Sequence, residues 1–291
     1  MCSHLTAALS VEHKDLLAPL WKALCEKYDL QFSEYSFANN FLFRKKHSYV
    51  FVGTNPPFLR GEFKPGHYYY IPTSPPNEIQ QDTIECLKEK SAILYPIPDQ
   101  WLDCFQHLHP KFSYCRSDSD YMFTDEKLKT LSGRALSSRR NLLAQLKTSH
   151  HMESKELTHE NIQEAFVILD AWQESSNQTK EASDYWPCRD ALEYFTALRL
   201  FGRVIYSDDQ PVGFSIGENL SSKTVQMVFA KTLHSVKGAT PYLYQDFATH
   251  VPETVEWLNL EQDLGIPSLR QSKEAYVPDK LLKKWRVTLS S

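Results

Sequence analysis

The sequence predicts a mixed α/β protein of two domains, on the basis of its length and of two patterns along the chain. A chain of 291 residues is long enough to form two domains of ordinary size. Helical and strand-like patterns alternate through both halves, which favours sheets covered by helices. The helical pattern starts afresh after Lys147. We therefore expect one domain over residues 1–148 and a second over residues 149–291, each a mixed sheet flanked by helices.

The composition is typical of a soluble globular protein with many large rings to bury. Hydrophobic residues make up 42%, charged residues 23% and aromatic residues 13% of the chain. The formal net charge of −4 argues against a protein that coats nucleic acid generally. A local basic patch remains compatible with that charge.

Cysteine spacing and apolar runs bear on the expected location. The six cysteines form no CxxC pair and have no histidine at ligand spacing, so neither a zinc site nor a disulfide framework is indicated; they are Cys2, Cys25, Cys86, Cys104, Cys115 and Cys188. The first residues lack the features of a signal peptide, and no run of about 18 apolar residues occurs. We expect reduced cysteines, no integral membrane segment and a cytoplasmic protein.

The first half begins with an amphipathic helix and continues with short elements. Its predicted helices span Val11–Tyr28, 78–90 and 98–107, and its predicted strands are Asn40–Phe43, Tyr49–Gly53, Ala92–Tyr95, Phe112–Arg116 and Asp120–Thr124. Six prolines predict an irregular loop from Asn55 to Asn77.

A basic helix is predicted within Leu128–Lys147. From Arg134 to Lys147 the segment carries four cations and no acid, and its leucines recur at helical spacing. Such a face is most often solvated or paired with acids elsewhere. Beside a cleft, the same cations would suit a substrate that bears phosphate.

The second half is predicted to contain three helices and five strands. Leu157 and Thr158 suit the start of a helix that includes Trp172, and a second helix is expected near Arg189–Leu200. The later elements are strands at Arg203–Tyr206, Val212–Gly217 and Thr224–Lys231, a helix at Pro241–Val251, and strands at Val255–Leu260 and Lys284–Leu289. This is the element order of the acyltransferase fold whose best-known members use acetyl-CoA.

The end of the predicted strand at Val255–Leu260 carries an unusual density of charge. Glu261, Asp263, Arg270 and Lys273 lie within thirteen residues. One interpretation is a solvated turn, closed at Gly265, or a set of ion pairs that fastens the C-terminal segment. The other is a binding or catalytic site, because these side chains follow a strand end and binding sites of mixed α/β folds usually lie at the ends of strands.

A family resemblance rests on motifs spread over about residues 115–286. These are Asp120-Tyr-Met-Phe, Leu131-Ser-Gly133, Arg139-Arg-Asn141, Val212-Gly-Phe214, Phe229-Ala-Lys231 with Gly238, and Asn259-Leu-Glu-Gln-Asp-Leu-Gly265 with Leu269-Arg270, Lys273, Tyr276 and Pro278. The pattern resembles the bacterial family of uncharacterised proteins related to the C-terminal domain of phosphatidylglycerol lysyltransferase. The block from Asn259 to Gly265 is its most specific part.

The resemblance implies two tandem GNAT-like acyltransferase domains, as in the enzymes that take an amino acid from aminoacyl-tRNA. It implies substrate-binding roles for the motif residues Arg139, Arg140, Asn141, Lys231, Asn259, Arg270, Lys273 and Tyr276. Leu260 departs from the family, which more often has a basic residue there. No membrane-spanning half is expected from the residues of this sequence that precede the matched region, and this expectation puts a lipid acceptor in doubt.

The sequence disfavours acetyl-CoA as the donor. GNAT enzymes bind the pyrophosphate of CoA with a loop of the form Gln/Arg-x-x-Gly-x-Gly/Ala at a helix start. The corresponding segment, Ser235-Val-Lys-Gly-Ala-Thr240, keeps Gly238 but lacks the leading Gln or Arg and the second small residue. We expect no cofactor, with aminoacyl-tRNA as the possible donor substrate.

Acyl transfer to an amine needs a proton acceptor and a group that stabilises negative charge. Glu261 or Asp263 could accept the proton or bind the substrate's ammonium, while Arg270, Lys273 and Lys231 could hold a carboxylate or a tRNA phosphate. We predict that Glu261, Asp263, Arg270 and Lys273 line one pocket. We expect that pocket to open toward the basic helix at Arg139 and Arg140.

Three other roles remain open at the level of sequence. The protein could be an acyl-CoA-dependent N-acetyltransferase, or a silent module that binds an amino-acid-like ligand or tRNA. It could also be an interaction protein whose basic helix docks an acidic partner. Measuring both turnover and ligand binding with the purified protein would distinguish the catalytic alternative from the silent one.

Overall fold

The computed structural model describes residues 5–289, which form two seven-stranded mixed sheets flanked by helices. The strands, in chain order, are β1 Leu5–Ala8, β2 Val50–Gly53, β3 Phe58–Lys64, β4 His67–Pro72, β5 Ile93–Ile97, β6 Lys111–Tyr114, β7 Asp120–Thr124, β8 Met152–Glu156, β9 Phe201–Ser207, β10 Gln210–Asn219, β11 Thr224–Thr232, β12 Trp257–Asn259, β13 Lys280–Leu282 and β14 Trp285–Thr288.

The described residues contain nine α-helices: α1 Lys14–Tyr28, α2 Phe37–Leu42, α3 Gln81–Glu89, α4 Asp125–Thr130, α5 Ser137–Ser149, α6 Ile162–Ser175, α7 Tyr185–Glu193, α8 Ala239–Thr249 and α9 Pro267–Glu274. The longest of several 3-10 segments is Asp99–Leu108. The predicted mixed α/β class is confirmed.

Within the described residues, the first compact unit contains residues 5–120, 262–265 and 281–289. Its sheet has the order β1-β2-β3-β4-β5-β14-β6. Only the β4–β5 pair is parallel among the registers of this sheet. Trp21, Phe58 and Leu94 are among its fully buried side chains.

The second compact unit contains residues 121–261 and 266–280. The sheet order is β13-β7-β12-β11-β10-β9-β8, and β11 pairs with β12 in parallel. Helices α6 and α8 both pack on β10 and β11. The added methyl group of an alanine at Gly217 would meet the Phe247 ring of α8 at 2.5 Å, so residue 217 faces α8.

The expected division at residues 148/149 differs from the division found. Residues 121–148 belong to the second unit, because β7 pairs with β12 in antiparallel register. The C-terminal strand, expected in the second domain, instead lies between β5 and β6 in the first sheet. A division of the chain by sequence order therefore assigns both segments to the wrong unit. Strands that are neighbours in a sheet need not be neighbours in the chain, because side-chain packing determines which strands pair.

Two element predictions were wrong. Asn40–Phe43, predicted as a strand, lies largely in α2, where Ser36 accepts a hydrogen bond from the Asn39 N–H at 3.0 Å and caps the helix. The predicted loop over Asn55–Asn77 contains the hairpin β3–β4. The hairpin forms because prolines fall at strand ends or in the turn, where Gly66 adopts a φ of 79°.

Candidate functional site

The strands β11 and β12 position the candidate site in the second unit. Their parallel register runs from the pair Thr224 and Trp257 to the pair Gln226 and Asn259. β12 ends at that point, whereas β11 continues to Thr232. The residues that follow β12 therefore lie where β11 continues without β12 paired to it.

A row of buried polar side chains crosses three strands at this point. Gln226 lies directly opposite Glu218 on β10 and directly opposite Asn259 on β12. Directly opposed residues project from the same face of a sheet, and these three face away from α8, since Gly217 faces it. Gln226 and Asn259 are fully buried, and Glu218 is 8% exposed. Buried polar groups in such a number need partners or a function.

Glu261 is attached to this row by its backbone and its side chain. The carboxylate accepts a hydrogen bond from Gln226 Nε2, and the backbone N–H donates to Asn259 Oδ1 at 2.6 Å. The carbonyl accepts from the Tyr121 N–H at 3.0 Å. Glu261 is partly exposed and has a φ of 58°, a left-handed conformation uncommon for a residue with a side chain. Such strain is characteristic of functional positions.

The orientation of the Gln226 amide follows from its partner. An ionised carboxylate only accepts hydrogen bonds, so Gln226 presents its NH₂ group to Glu261 and its Oε1 points elsewhere. That oxygen is buried and has no hydrogen-bond partner. A buried acceptor left in this state costs about 1–3 kcal/mol. A donor supplied by a ligand would recover that cost.

Lys273 fastens α9 to the end of β12. Its Nζ donates to the Leu260 carbonyl at 2.6 Å and lies 5.7 Å from the centre of the Tyr121 ring. The side chain is buried, so the bond is protected from water. Arg270 lies on the same helix and is half-buried. The helix thereby holds the backbone that carries Glu261.

A second cluster joins α5, α8 and Tyr276, which lies two residues after the end of α9. The Arg139 guanidinium lies 5.1 Å from the Tyr276 ring, and the Tyr276 and Tyr244 rings are 5.0 Å apart. Arg139 Nε and the Tyr276 hydroxyl are buried without partners. Burial raises the pKa of Tyr244 to about 12 and also raises the pKa of Tyr276, while Arg139 opposes both shifts. Both phenols therefore stay protonated and can donate hydrogen bonds.

The other predicted residues of the basic helix have different environments. Arg140 donates to the carbonyls of Leu131 and Gly133, which close the turn before α5. Asn141 is exposed on α5. The structure thus uses Arg140 to support the backbone, and Arg139 is the cation that it places beside aromatic rings.

Lys231 lies on β11 within a separate ionic contact. Its Nζ donates to both carboxylate oxygens of Asp184, at 2.6 and 2.8 Å, and lies 3.5 Å from the centre of the Trp172 ring. The lysine side chain is 6% exposed. No local pattern indicates Asp184 and Trp172 as partners, because they lie 47 and 59 residues before Lys231 in the chain.

Asp263 belongs to the first unit, whereas Glu261 belongs to the second. The Asp263 carboxylate is fully buried; it pairs with Arg116 at 2.5 Å and accepts from the Gly265 N–H at 2.8 Å. The ion-pair interpretation of the sequence pairs Glu261 and Asp263 with Arg270 and Lys273. Arg116, 147 residues before Asp263, is a partner that the local spacing of charges does not indicate. This ion pair closes the turn at residues 262–265.

A larger buried network in the first unit surrounds Lys284. The ammonium donates to Asp120 at 2.6 Å, to Ser33 at 3.0 Å and to Gln262 at 3.1 Å, and it pairs with Glu34 at 2.7 Å. Burial raises the pKa of Glu34, and Lys284 opposes that shift. For Lys284, burial lowers the pKa, but Asp120 and Glu34 more than offset it, so the pKa is raised.

The start of α8 is covered by α5. Gly238 precedes the helix with a φ of 96°, and a methyl group added there would lie 2.9 Å from the Leu142 carbonyl oxygen. The Thr240 hydroxyl contacts the Thr232 hydroxyl at 2.8 Å. The backbone of α5 therefore occupies space beside the helix N-terminus that corresponds to the CoA loop.

Comparison with known proteins identifies the family. The sequence matches the family described as "Phosphatidylglycerol lysyltransferase, C-terminal" over residues 26–288. The chain belongs to this family. The match includes the polar row, Glu261, Lys273 and the Arg139–Tyr276 cluster. No curated protein matches the sequence.

Solved structures share the fold of this lysyltransferase-family chain. A protein of unknown function from Bacteroides thetaiotaomicron is 22% identical with a TM-score of 0.86, and the alignment covers 99% of this chain and 100% of that chain. L-PGS from Bacillus licheniformis is 12% identical with a TM-score of 0.57, covering 84% and 89%. FemX is 8% identical with a TM-score of 0.57, covering 98% and 97%. The tandem GNAT-like fold predicted from the sequence is confirmed.

The described residues of this family member contain no bilayer-spanning helix, no metal-binding cluster and no disulfide. Between residues 5 and 289, no helix is both long and apolar enough to cross a bilayer. Over the same residues, no group of three or more His, Cys, Asp or Glu side chains is placed to hold a metal ion. Five cysteines form no disulfide there, and Cys2 lies outside the described residues.

Proposed function

We propose that this protein is an aminoacyltransferase that moves an amino acid from aminoacyl-tRNA to an amine, with Glu261 as the proton acceptor. The observation that carries the proposal is the fixed, partly exposed Glu261 carboxylate at the end of β12, held by Gln226 and Asn259. Membership of the lysyltransferase C-terminal family supports an acyl-transfer reaction.

The proposed reaction exchanges an ester for an amide. The amine nitrogen attacks the aminoacyl carbonyl carbon, the new C–N bond forms, and the C–O bond to the tRNA ribose breaks. Glu261 accepts the proton lost by the amine and returns it to the departing ribose oxygen. A carboxylate suits this role when it is partly shielded from water and held in one geometry, as Glu261 is.

The Arg139–Tyr276 cluster offers donors for an oxygen-rich group of the substrate. Arg139 Nε–H and the Tyr276 hydroxyl are buried and unpartnered, and both can donate. A phosphate or carbonyl oxygen of the donor substrate would satisfy them. This supports the substrate-binding roles predicted for the two residues.

The geometry at α8 supports a donor other than acetyl-CoA. Binding of the CoA pyrophosphate requires free N–H groups at a helix N-terminus. Here the Leu142 carbonyl of α5 lies against Gly238 at that end. A carbonyl oxygen repels a phosphate, so we propose that acetyl-CoA does not bind. Calorimetry with purified protein should give no heat of binding at millimolar acetyl-CoA, and micromolar affinity would contradict this.

The transfer reaction can be tested with purified protein and labelled aminoacyl-tRNAs, using small primary amines as acceptors. We expect amide formation with at least one aminoacyl-tRNA, reduced about 10²–10⁴-fold by Glu261→Gln. Glu160→Gln, a change on an exposed loop, is the matched control and should retain full rate. No transfer from any aminoacyl-tRNA, or equal rates for wild type and Glu261→Gln, would refute the proposal.

A second candidate is a binding module that recognises the same substrate without turnover. The unpartnered donors of Arg139 and Tyr276 favour it as much as they favour catalysis, because they require only a bound acceptor. A ligand that binds only the native state raises the melting temperature by mass action. An increase in melting temperature with aminoacyl-tRNA analogues, without any product, would select this alternative.

A further inference from the structure

The polar row of the second unit contains an acceptor that the proposed proton transfer does not use. Gln226 Oε1 is buried, has no hydrogen-bond partner, and belongs to a side chain that is fully buried. Its amide nitrogen is committed to Glu261. An acceptor in that situation is satisfied only by a donor that comes from outside the chain.

Acidic residues lie on both sides of Gln226 in this row. Glu218 is the direct cross-strand neighbour of Gln226 on β10, and Glu261 follows the neighbour on β12. Two acidic residues next to one buried amide favour a donor that carries positive charge. A neutral N–H or O–H group could donate a hydrogen bond to this oxygen but would not be attracted by the acidic residues.

We infer that the Glu218–Gln226–Glu261 row binds a primary ammonium group. Gln226 Oε1 accepts one N–H of the ammonium, and the flanking carboxylates supply the compensating charge. The inference rests on the proposed function for the choice of ligand, because two sources of ammonium occur in that reaction. One is the α-ammonium of the aminoacyl donor, and the other is the amine acceptor before it loses its proton.

Lys231 supports the same preference on the same face of the sheet. Lys231 follows Gln226 on β11, beyond an irregularity in the register with β10, and its own ammonium is held by Asp184 and the Trp172 ring. This face therefore already binds one primary ammonium, through a carboxylate and an aromatic ring. The Gln226 site offers a carboxylate and an amide oxygen instead.

Binding of four small probes to the full-length protein tests the inference. L-Alaninamide carries an α-ammonium, N-acetyl-L-alaninamide lacks it, n-butylamine carries an ammonium without an aminoacyl group, and n-butanol carries neither. We expect L-alaninamide or n-butylamine to bind in calorimetry, and the two neutral probes not to bind. Binding of L-alaninamide alone would identify the donor's α-ammonium as the occupant, and binding of n-butylamine alone would identify the amine acceptor. Binding of both would support a site that accepts either ammonium.

Gln226→Leu removes the acceptor at nearly constant volume and should weaken ammonium binding about tenfold or more. Gln173→Leu is the matched control, because Gln173 is also a buried glutamine of the second unit but has partners for both its amide atoms. Glu218→Gln, which keeps the size of the side chain, is the second variant in case Gln226→Leu does not fold. It should also weaken binding.

The outcomes separate this inference from the proposed function. Absence of binding by both ammonium probes, or equal affinity in wild type and Gln226→Leu, would overturn the ammonium site even if aminoacyl transfer is observed. Ammonium binding that depends on Gln226, in a protein that transfers nothing, would support the site while refuting the transferase. Binding of the neutral probes with the same affinity would also overturn the inference.

Discussion

Asp263 is the fully buried member of the charged segment, and its environment predicts a structural effect of mutation. Its carboxylate accepts from Arg116 and from the Gly265 N–H. Asp263→Asn keeps one acceptor oxygen but turns an N–H group or a neutral oxygen toward Arg116. We expect a loss of about 1.5–3 kcal/mol in the free energy of unfolding, the range for hydrogen bonds to charged groups.

Urea unfolding of Asp263→Asn measures this loss directly. The control is Asp125→Asn, whose ion pair with Lys129 joins residues four apart on one helix and should be worth about 0.5 kcal/mol or less. Equal effects of the two substitutions would show that Asp263 is not held as the structure indicates. Retained aminoacyl transfer by Asp263→Asn would further separate its role from that of Glu261.

At the scale of elements, β14 is held in the first sheet by Lys284. The ammonium is fully buried between Asp120, Glu34 and Ser33. Lys284→Met leaves two buried carboxylates without their cation, and breaking a buried pair in this way costs about 3–5 kcal/mol. Chemical unfolding should show this loss. A loss below about 1 kcal/mol would mean that β14 is retained by its backbone pairing alone.

The same lysine predicts an alkaline pH dependence. Burial lowers its pKa, the two carboxylates raise it more, and the net shift is above the ordinary value of 10.5. A raised folded pKa means that the stabilisation is fully present below about pH 10.5 and is lost as the pH rises through the folded value. The stability difference between wild type and Lys284→Met should therefore be constant near neutral pH and shrink above pH 10.5. A difference that grows with pH would contradict this sign.

The contact between α5 and the start of α8 gives a further prediction for an element. Gly238→Ala places a methyl group 2.9 Å from the Leu142 carbonyl oxygen and on a backbone with a φ of 96°. Strain at a left-handed position costs about 1–3 kcal/mol. We expect a melting temperature lower by several degrees, whereas Ala135→Gly on the exposed turn before α5 should have a small effect. An unchanged melting temperature in Gly238→Ala would indicate that α5 does not lie against this helix.

At the scale of the whole molecule, each sheet contains strands from distant parts of the chain. A fragment of residues 1–148 lacks β14, which separates β5 from β6, and it lacks Lys284. A fragment of residues 149–291 lacks β7, the neighbour of β12. We expect neither fragment to unfold cooperatively by circular dichroism, while the full chain does. Cooperative unfolding of either fragment alone would contradict the interleaved topology.

Local patterns in the sequence were sufficient to predict several helices and strands and to recognise the family motif. Helical periodicity located α1 and α3, and strand patterns located β2, β9, β10 and β11 close to their observed bounds. These elements follow local rules, since the spacing of apolar residues fixes which face is buried. The motif that begins at Asn259 indicated the region of the candidate site for the same reason, because it is contiguous in the chain.

The partners of the buried polar side chains depend on the tertiary structure. Gln226 lies within an otherwise mainly apolar strand, and its place opposite Glu218 and Asn259 depends on sheet register, which no local pattern encodes. Lys284 and Asp120 are 164 residues apart, yet their charges meet because β14 returns to the first sheet. Burial of polar groups is a property of the whole packed interior, and for this reason it could be found only once every strand had its neighbour.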